Sequence, residues 1–155
     1  RPFNTYGPRQ SARAIIPTII TQLLSGEKIL KLGSLTPTRD FNYVNDTIKG
    51  FIALAEADEA IGEEVNICTG KEYSIEEVVG FLIKEINPTA QILIETERLR
   101  PIRSEVFQLL GDNSKICRLT SWSPQYDLDK GLKDTITWFM DSENLKKYKT
   151  WLYNM

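Results

Sequence analysis

The sequence contains no histidine among its 155 residues. Histidine is the usual general base near neutral pH and the commonest protein ligand of zinc, so its absence argues against a zinc enzyme and against a histidine-based catalytic triad. Cysteine is almost as scarce. Cys68 and Cys117 lie far apart without a CxxC motif, which predicts two reduced, buried thiols in a cytosolic protein rather than a disulfide or a metal site.

The chain also lacks a surplus of charge and a long apolar run. Its 19 basic and 21 acidic residues are mixed and give a net charge of −2, so we expect no nucleic-acid partner held by a broad positive field. No stretch approaches the roughly 20 apolar residues of a membrane span, and residues 1–10 lack the apolar core of a signal peptide. We therefore expect a cytoplasmic protein with no membrane partner.

What is present is the composition of one globular domain, with 41% hydrophobic and 26% charged residues. Strand and helix patterns alternate, which predicts an α/β arrangement. A glycine-rich phosphate-binding turn after a first strand is missing, and the few short strands do not suffice for a full doubly wound sheet. The sequence is therefore expected to be part of a longer chain, without its N-terminal half.

Apolar spacing places most of the secondary structure. Helices are predicted at 15–24, 114–119 and 128–140, and strands at 28–32, 39–44, 64–68 and 91–95. Ser74 and Glu77 predict a capping box ahead of a further helix. Asp46 is expected to cap another helix, which runs to about Ala60 before Gly62 ends it and carries Ile48 and Ile52 in its apolar stripe.

Arg39 lies in one polar segment, and a second polar segment carries three arginines: Arg98, Arg100 and Arg103. A guanidinium offers a planar fork of donors that keeps its charge, so arginines that converge from distant loops suit a diphosphate. The alternative for each one is a solvated surface arginine. The motifs around them favour the first interpretation.

Four segments in order resemble one family, the extended short-chain dehydrogenase/reductases that act as nucleotide-sugar epimerases and dehydratases. RPFNTYGPRQ at 1–10 is similar to the family's RxFNxYGPRQ segment, and TRDFNYVND at 38–46 is similar to TRDFxYVxD. VNICTG at 65–70 is similar to the family's xNIGTG strand and turn. WSP at 122–124 with the segment 128–138 is similar to GWxPxxxLxxGLxxTIxW, so the resemblance covers essentially the whole chain.

Within that family, LRPIRSEV at 99–106, DNSK at 112–115 and the tail at 147–154 look most like the 4,6-dehydratases of legionaminic acid biosynthesis, which act on nucleotide-linked N-acetylglucosamine. Many epimerases have a Gly-Asp pair where this chain has Ile102 and Arg103, and that departure favours the dehydratase branch. A nucleotide-sugar 4-epimerase of the same superfamily is the alternative. A non-catalytic sugar-nucleotide binding module is the second alternative.

The resemblance implies the C-terminal part of an NAD(P)-binding Rossmann-type enzyme, mostly its smaller mixed α/β substrate-binding lobe, with residues of about 46–85 packing back on the absent sheet. It places the glycine-rich NAD motif and the catalytic YxxxK pair before Arg1, so NAD is bound mainly by that half and this chain alone is expected to be inert. Tyr6 has no lysine four positions on and is not the catalytic tyrosine. The full-length enzyme is expected to be a homodimer.

Substrate-binding roles also follow from the resemblance. The Asn4 amide donates to the diphosphate of the sugar nucleotide, with the capping of a turn as its alternative role. Arg39 and Arg100 pair with the phosphates. The departure from the Gly-Asp pair leaves open which residue meets the ribose, and Glu105 is the first choice, followed by Ser104.

Cofactor and base contacts are implied in the same way. Pro2 and Phe3 flank the nicotinamide, and the strand at 29–32 lies along the base through backbone groups. For the parent enzyme the resemblance implies that hydride leaves C4 of the hexose for NAD, that water leaves across C5 and C6, and that hydride returns to C6. Aromatic residues outside these motif roles are expected to fill the core or an interface rather than to stack on the sugar: Tyr43, Trp122 and Trp138.

Overall fold

In the computed structural model, which describes residues 1–99 and 101–148, short strands alternate with helices. The strands are β1 (Asn4–Tyr6), β2 (Ile29–Leu32), β3 (Thr38–Arg39), β4 (Phe41–Tyr43), β5 (Tyr73–Ser74), β6 (Gln91–Ile94) and β7 (Gln108–Leu109). The helices are α1 (Ile15–Leu24), α2 (Val44–Ala55), α3 (Ile75–Ile86), α4 (Ser114–Leu119), α5 (Leu128–Met140) and α6 (Ser142–Leu145), with 3-10 turns at Asp58–Ala60, Thr96–Arg98 and Ile102–Ser104. The predicted α/β class is confirmed.

The strands form three small sheets rather than one. β1 pairs in parallel with β4, and β2 pairs in parallel with β6. β3 lies between β5, which is antiparallel to it, and β7, which is parallel. The loops that follow β1 and β2 carry polar side chains, among them Gln10, Arg13 and Ser34.

The main core lies between β2, β4 and the helices α1, α3 and α5. The apolar stripe of α1 is fully inside it, with Ile16, Ile19, Ile20 and Leu23 at most 3% exposed. Gly26 follows α1 with a φ of +81°, and its N–H donates to the Leu23 carbonyl at 3.2 Å, which ends the helix. The capping box of α3 is confirmed.

The predicted strand at 39–44 is wrong as a single element. Asp40 divides it, so that β3 and β4 belong to different sheets. The buried Asp40 carboxylate accepts hydrogen bonds from the backbone N–H groups of Thr69, Gly70 and Gly111 at 2.9, 2.9 and 3.3 Å, and from the Thr69 hydroxyl at 2.7 Å. A buried charge requires such donors. Because the donors of Asp40 come from other segments, the chain leaves the extended strand at this residue.

The prediction that Asp46 caps the next helix is also wrong. α2 begins at Val44, with Tyr43 as an N-cap that makes no side-chain bond. The Oδ2 of Asp46 instead accepts the backbone N–H groups of Gln125 and Tyr126, each at 2.9 Å. The helix ends at Ala55 rather than near Ala60, so Gly62 does not end it.

The predicted inward stripe of α2 lies partly on the surface. Ile48, Phe51 and Ile52 are 50–52% exposed. The side of α2 that is packed meets a smaller core made of Val65, Ile67, Ile116 and Trp122, and Gly50 allows its close approach because an added Cβ there would lie 2.7 Å from Ile67. The packed side of α2 is small, because its contacts with this core come from Gly50, Ala53 and Leu54.

Residues 64–68 are reduced from the predicted strand to one parallel bridge between Pro2 and Ile67. The Ile67 N–H donates to the Arg1 carbonyl and the Phe3 N–H donates to the Ile67 carbonyl, both at 3.0 Å. Cys68 is buried as predicted, whereas Cys117 is exposed because the inward side of α4 is occupied by Ile116. Among the helices that the structure describes, none has the length and apolarity to cross a membrane.

Candidate functional site

A cavity of about 330 Å³ opens between the loop after β1, the start of α1 and the loop that follows β2. Three residues with predicted roles line it together: Asn4, Arg39 and Glu105. They come from segments far apart in the sequence, and the fold brings them to one wall. The remaining wall carries further basic side chains, which makes the cavity suited to an anionic ligand.

Arg39 is held in place on two sides. Its Nη1 donates to the Thr38 carbonyl at 2.8 Å, and its Nη2 pairs with Glu105 Oε1 at 3.2 Å. The two side chains are only 14% and 12% exposed. An arginine that is oriented in this way presents its charge to the cavity at little further entropic cost.

Asn4 lies beside this pair at the start of β1. Its Nδ2 donates to the Asp40 carbonyl at a long 3.3 Å, so the amide is oriented by the junction between β3 and β4. The geometry therefore fits an amide that is available to a ligand, while the predicted alternative of turn capping is not what the amide does here.

A second basic group consists of Arg98 and Lys31, which line the cavity and share Glu95 as a partner. Arg98 Nε donates to Glu95 Oε2 at 2.7 Å, and Lys31 Nζ lies 3.1 Å from Glu95 Oε1. The hydrogen bonds from Arg98 and Lys31 hold the pKa of the Glu95 carboxyl below its ordinary value. Gly33 completes the arrangement, because an added Cβ there would lie 2.5 Å from the Arg98 carbonyl. Arg98 and Lys31 both line the cavity.

Pro2 and Phe3, predicted to flank a nicotinamide, do not belong to this cavity. Pro2 forms the bridge to Ile67, and the Phe3 ring packs against Gly111, where an added Cβ would lie 2.9 Å from it. Their cofactor role remains a prediction. Arg100, the second predicted phosphate ligand, lies outside the described residues.

Tyr6 is placed in the core. It is 2% exposed, and its hydroxyl donates to the Leu128 carbonyl at 3.5 Å. Burial raises the pKa of this phenol well above its ordinary value, so it is not available as a base near neutral pH. Tyr43 and Trp122 are buried and Trp138 packs against the core, which confirms their predicted packing role.

The predicted base-binding strand is partly engaged by the protein itself. Lys31 and Leu32 line the cavity. The backbone N–H of Lys31 donates to Gln22 Oε1 at 3.0 Å, and Gln22 Nε2 donates back to the Lys31 carbonyl at 3.4 Å. These two backbone groups of β2 therefore already have partners, and so does the Leu32 carbonyl, which accepts from the Glu95 N–H at 2.9 Å.

Sequence reasoning missed Arg13, Gln10 and Lys31 as lining residues. Arg13 lies just before the predicted start of α1, and no local pattern marks it as a lining residue. Lys31 alternates outward on a strand and carries no local signal. Within residues 1–99 and 101–148, no cluster of three acidic or cysteine side chains is placed to hold a metal ion.

Comparison with known proteins identifies the family of this chain. The family model described as GDP-mannose 4,6 dehydratase matches residues 1–135. UDP-N-acetyl-α-D-glucosaminuronate decarboxylase of Bacillus cytotoxicus is 32% identical over 93% of this chain and 46% of that protein. dTDP-glucose 4,6-dehydratase of Streptomyces griseus is 29% identical over 96% of this chain and 42% of that protein.

Among solved structures, UDP-glucuronic acid 4-epimerase from Bacillus cereus, in complex with UDP-glucuronic acid and NAD, superimposes with a TM-score of 0.79. It is 31% identical, and the match covers 95% of this chain and 44% of that one. The chain thus spans less than half the length of the proteins it matches. The match places the described fold among Rossmann-type epimerases and dehydratases.

Proposed function

Because this chain belongs to the GDP-mannose 4,6-dehydratase family, among the NAD-dependent nucleotide-sugar epimerases and dehydratases, we propose that it is the substrate-binding part of a 4,6-dehydratase. The substrate is UDP- or GDP-N-acetylglucosamine, and the product is its 4-keto-6-deoxy derivative. The observation that carries the proposal is the convergence of Asn4, Arg39 and Glu105 on one cavity. The full protein acts as a homodimer in the cytoplasm.

Each of these residues contributes binding rather than bond-breaking. Arg39 and Arg100 pair with the diphosphate, and the Asn4 amide donates to it. Glu105, already beside Arg39, accepts from the ribose hydroxyls. Holding the diphosphate at one end positions the hexose at the other, so remote binding energy supports the chemistry at C4 to C6.

NAD is supplied by the part of the protein that precedes Arg1. Pro2 and Phe3 contribute to that cofactor site from this chain, at the edge where the Phe3 ring packs against Gly111. NAD, when bound, provides the hydride acceptor and donor for the reaction. The residues of this chain orient the sugar toward it.

The same proposal gives residues of about 46–85 a partner. They pack on the sheet of the preceding half, and this accounts for the apolar side chains that α2 exposes: Ile48, Phe51 and Ile52. Burying a phenylalanine side chain contributes about 2 kcal/mol, so leaving it half-exposed is costly unless it has a partner.

The reaction is tested by incubating the full protein with NAD and either UDP- or GDP-N-acetylglucosamine. A 4-keto-6-deoxy sugar is expected, detected by its chromophore in alkali and by mass. A sugar inverted at C4 would instead establish the epimerase. Tight binding without any product, in a protein whose preceding sequence has no YxxxK pair, would establish the non-catalytic module.

The role of Arg39 is tested separately from the reaction type. Arg39→Gln is expected to raise KM for the sugar nucleotide more than tenfold, since charged hydrogen bonds contribute about 1.5–3 kcal/mol each. Arg118→Gln is the matched control, because Arg118 is exposed near the end of α4 and does not line the cavity. An unchanged KM in Arg39→Gln would remove Arg39 from the site.

A further inference from the structure

Glu72 lies outside the cavity and joins the two segments that carry Arg39 and Glu105. Its Oε2 accepts a hydrogen bond from the Thr38 hydroxyl at 2.6 Å, and its Oε1 accepts one from Gln108 Nε2 at 2.7 Å. Thr38 immediately precedes Arg39 in the chain, and Gln108 follows Glu105 by three positions. Both oxygens of one carboxylate therefore hold these two segments together.

The sheet around Arg39 is small, and this gives side-chain contacts between its strands more weight. β3, β5 and β7 have two residues each, and β3 is the central strand. In the register of the sheet, Thr38 lies opposite Ser74 on β5 and opposite Gln108 on β7. Because strands of two residues share few ladder hydrogen bonds, side-chain contacts across them help to fix their register. Glu72 supplies such contacts to both β3 and β7.

The contact between Glu72 and β3 lies on the face of the sheet opposite to Arg39. Successive side chains of a strand point to opposite faces, so the Thr38 hydroxyl and the Arg39 guanidinium lie on different faces. The link between them is the Thr38 carbonyl, which accepts a hydrogen bond from Arg39 Nη1 at 2.8 Å. Thr38 is thus held by Glu72 through its hydroxyl, and it orients Arg39 through its carbonyl.

A second connection between Glu72 and Arg39 runs through β7. Arg39 Nη2 pairs with Glu105 Oε1 at 3.2 Å, and both side chains are largely buried. Glu105 lies three residues before Gln108, the first residue of β7, which donates to Glu72. The contacts therefore close a ring that runs from Glu72 through β3 to Arg39 and back through Glu105 and β7.

We propose that Glu72 is a positioning residue for the substrate site, which acts through Arg39 and does not touch the ligand. By holding β3 against β7, Glu72 sets the orientation in which the Arg39 guanidinium meets a phosphate. A displacement of about 1 Å at such a positioned group is enough to weaken its contribution strongly. This inference rests on the proposed function, since Arg39 has a phosphate to bind only in that case.

The test compares the full protein with its Glu72→Ala variant, using NAD and UDP- or GDP-N-acetylglucosamine. We expect KM for the sugar nucleotide to rise about fivefold, because the charged contact made by Arg39 is weakened rather than removed. We expect kcat to stay within about twofold and KM for NAD to stay unchanged, since only binding of the sugar nucleotide is affected. Calorimetry with the same sugar nucleotide should show the same loss of affinity, whichever reaction the full protein catalyses.

A double-mutant cycle with Arg39→Gln tests whether Glu72 acts through Arg39. If it does, Glu72→Ala causes no further rise in KM once Arg39 has been replaced, because the two side chains contribute to one interaction. A rise by the full factor in the Arg39→Gln background would show that Glu72 acts independently of Arg39, and it would overturn the inference.

Substitutions of Thr38 test the same connection in a protein that keeps Glu72. Thr38→Val keeps the shape of the side chain and removes the hydroxyl that Glu72 accepts, so KM for the sugar nucleotide should rise. Thr38→Ser keeps a hydroxyl at this position, and KM should stay near the wild-type value. Equal KM values for Thr38→Val and Thr38→Ser would overturn the inference, even if Glu72→Ala did not fold.

Ser74→Ala is the control for a general loss of stability in the same sheet. It removes the hydroxyl of the α3 capping box, so it should lower Tm, as Glu72→Ala does, and keep the wild-type KM. A rise in KM for Ser74→Ala equal to that for Glu72→Ala would mean that loosening of the sheet alone is responsible, and it would overturn the inference.

Failure of the inference is distinguishable from failure of the proposed function. An unchanged KM in Glu72→Ala, in a protein that binds and converts the sugar nucleotide, would overturn the inference alone. Failure of the wild type to bind either UDP- or GDP-N-acetylglucosamine would overturn the proposed function together with the inference.

Discussion

The two cores of this chain differ in how completely they are closed. The main core is built from β2, β4, α1, α3 and α5, and four apolar residues of α1 are at most 3% exposed in it: Ile16, Ile19, Ile20 and Leu23. The smaller core of Val65, Ile67, Ile116 and Trp122 is covered on one side by α2, whose other side exposes Ile48, Phe51 and Ile52. The first region is a closed lobe that holds the cavity, whereas the second leaves apolar side chains of α2 uncovered.

The largest expected effect breaks the joint between the two regions. Asp40 lies at the end of β3 and binds the turn at Thr69 and Gly70 together with Gly111. Asp40→Asn places an amide NH₂ where an oxygen now accepts donors, so we expect a loss of about 4 kcal/mol in the free energy of unfolding. Urea-induced unfolding of the full protein measures it.

The control for Asp40→Asn is Asp129→Asn. Asp129 forms an exposed i,i+4 pair with Lys133 and should contribute no more than about 0.5 kcal/mol. A loss below 1 kcal/mol in Asp40→Asn would mean that the two regions are not joined through this carboxylate.

A smaller effect, confined to the main core, is expected from Gly131→Ala in α5. The added Cβ would clash with the Tyr6 hydroxyl and lie 3.1 Å from the Tyr43 ring, and both rings are buried. We expect destabilisation by about 3 kcal/mol, because the closed core has no room to relax. Thermal unfolding measures it.

Gly80→Ala is the matched control, since Gly80 lies in α3 with nothing within 4 Å of an added Cβ. It should stabilise the protein by about 0.5–1 kcal/mol through helix propensity alone. If Gly131→Ala behaved like Gly80→Ala, the main core would not be as tightly closed as the comparison requires.

The third prediction concerns the open region. Phe51→Ser in the full protein is expected to cost about 2 kcal/mol, because the preceding half would cover this half-exposed ring. Met140→Ser, on α5 of the closed lobe and 59% exposed, is expected to change stability by less than about 0.5 kcal/mol. Equal and small effects of both substitutions would show that α2 is an ordinary surface helix.

The two regions also differ in how well local sequence predicts them. α1 and α5 follow from apolar spacing with the predicted bounds, and α3 begins at the predicted capping box of Ser74 and Glu77. Asp46 has the chemistry of a cap, yet its donors come from Gln125 and Tyr126, about eighty residues away, which no local pattern indicates. The open region depends on such distant partners more than the closed one does.

The candidate site shows the same division. Asn4, Arg39 and Glu105 were predicted from the family resemblance, and the structure brings them to one cavity. Their convergence could not follow from spacing, because Glu105 reaches Arg39 across 66 positions. Arg13 was missed because its place on the cavity is visible only once the neighbouring elements are placed.

The smallest effect, on a thiol, reports how tightly the joint is closed. Cys68 packs against Gly111, where an added Cβ would lie 2.6 Å from the Cys68 Cβ. Burial, and to a smaller extent the nearby Asp40 charge, raise the pKa of the Cys68 thiol to about 12. The folded protein therefore keeps this proton at pH values where the unfolded chain releases it. Stability from this group is complete below the ordinary thiol pKa near 9 and falls as the pH rises toward 12. Cys68→Ala should remove that part of the pH dependence.

Iodoacetamide at pH 8, followed by peptide mass spectrometry, should modify the exposed Cys117 in the native protein and Cys68 only after unfolding. Equal labelling of both thiols in the native protein would show that the joint opens readily, and the contrast between a closed lobe and an open surface would then extend to the junction itself.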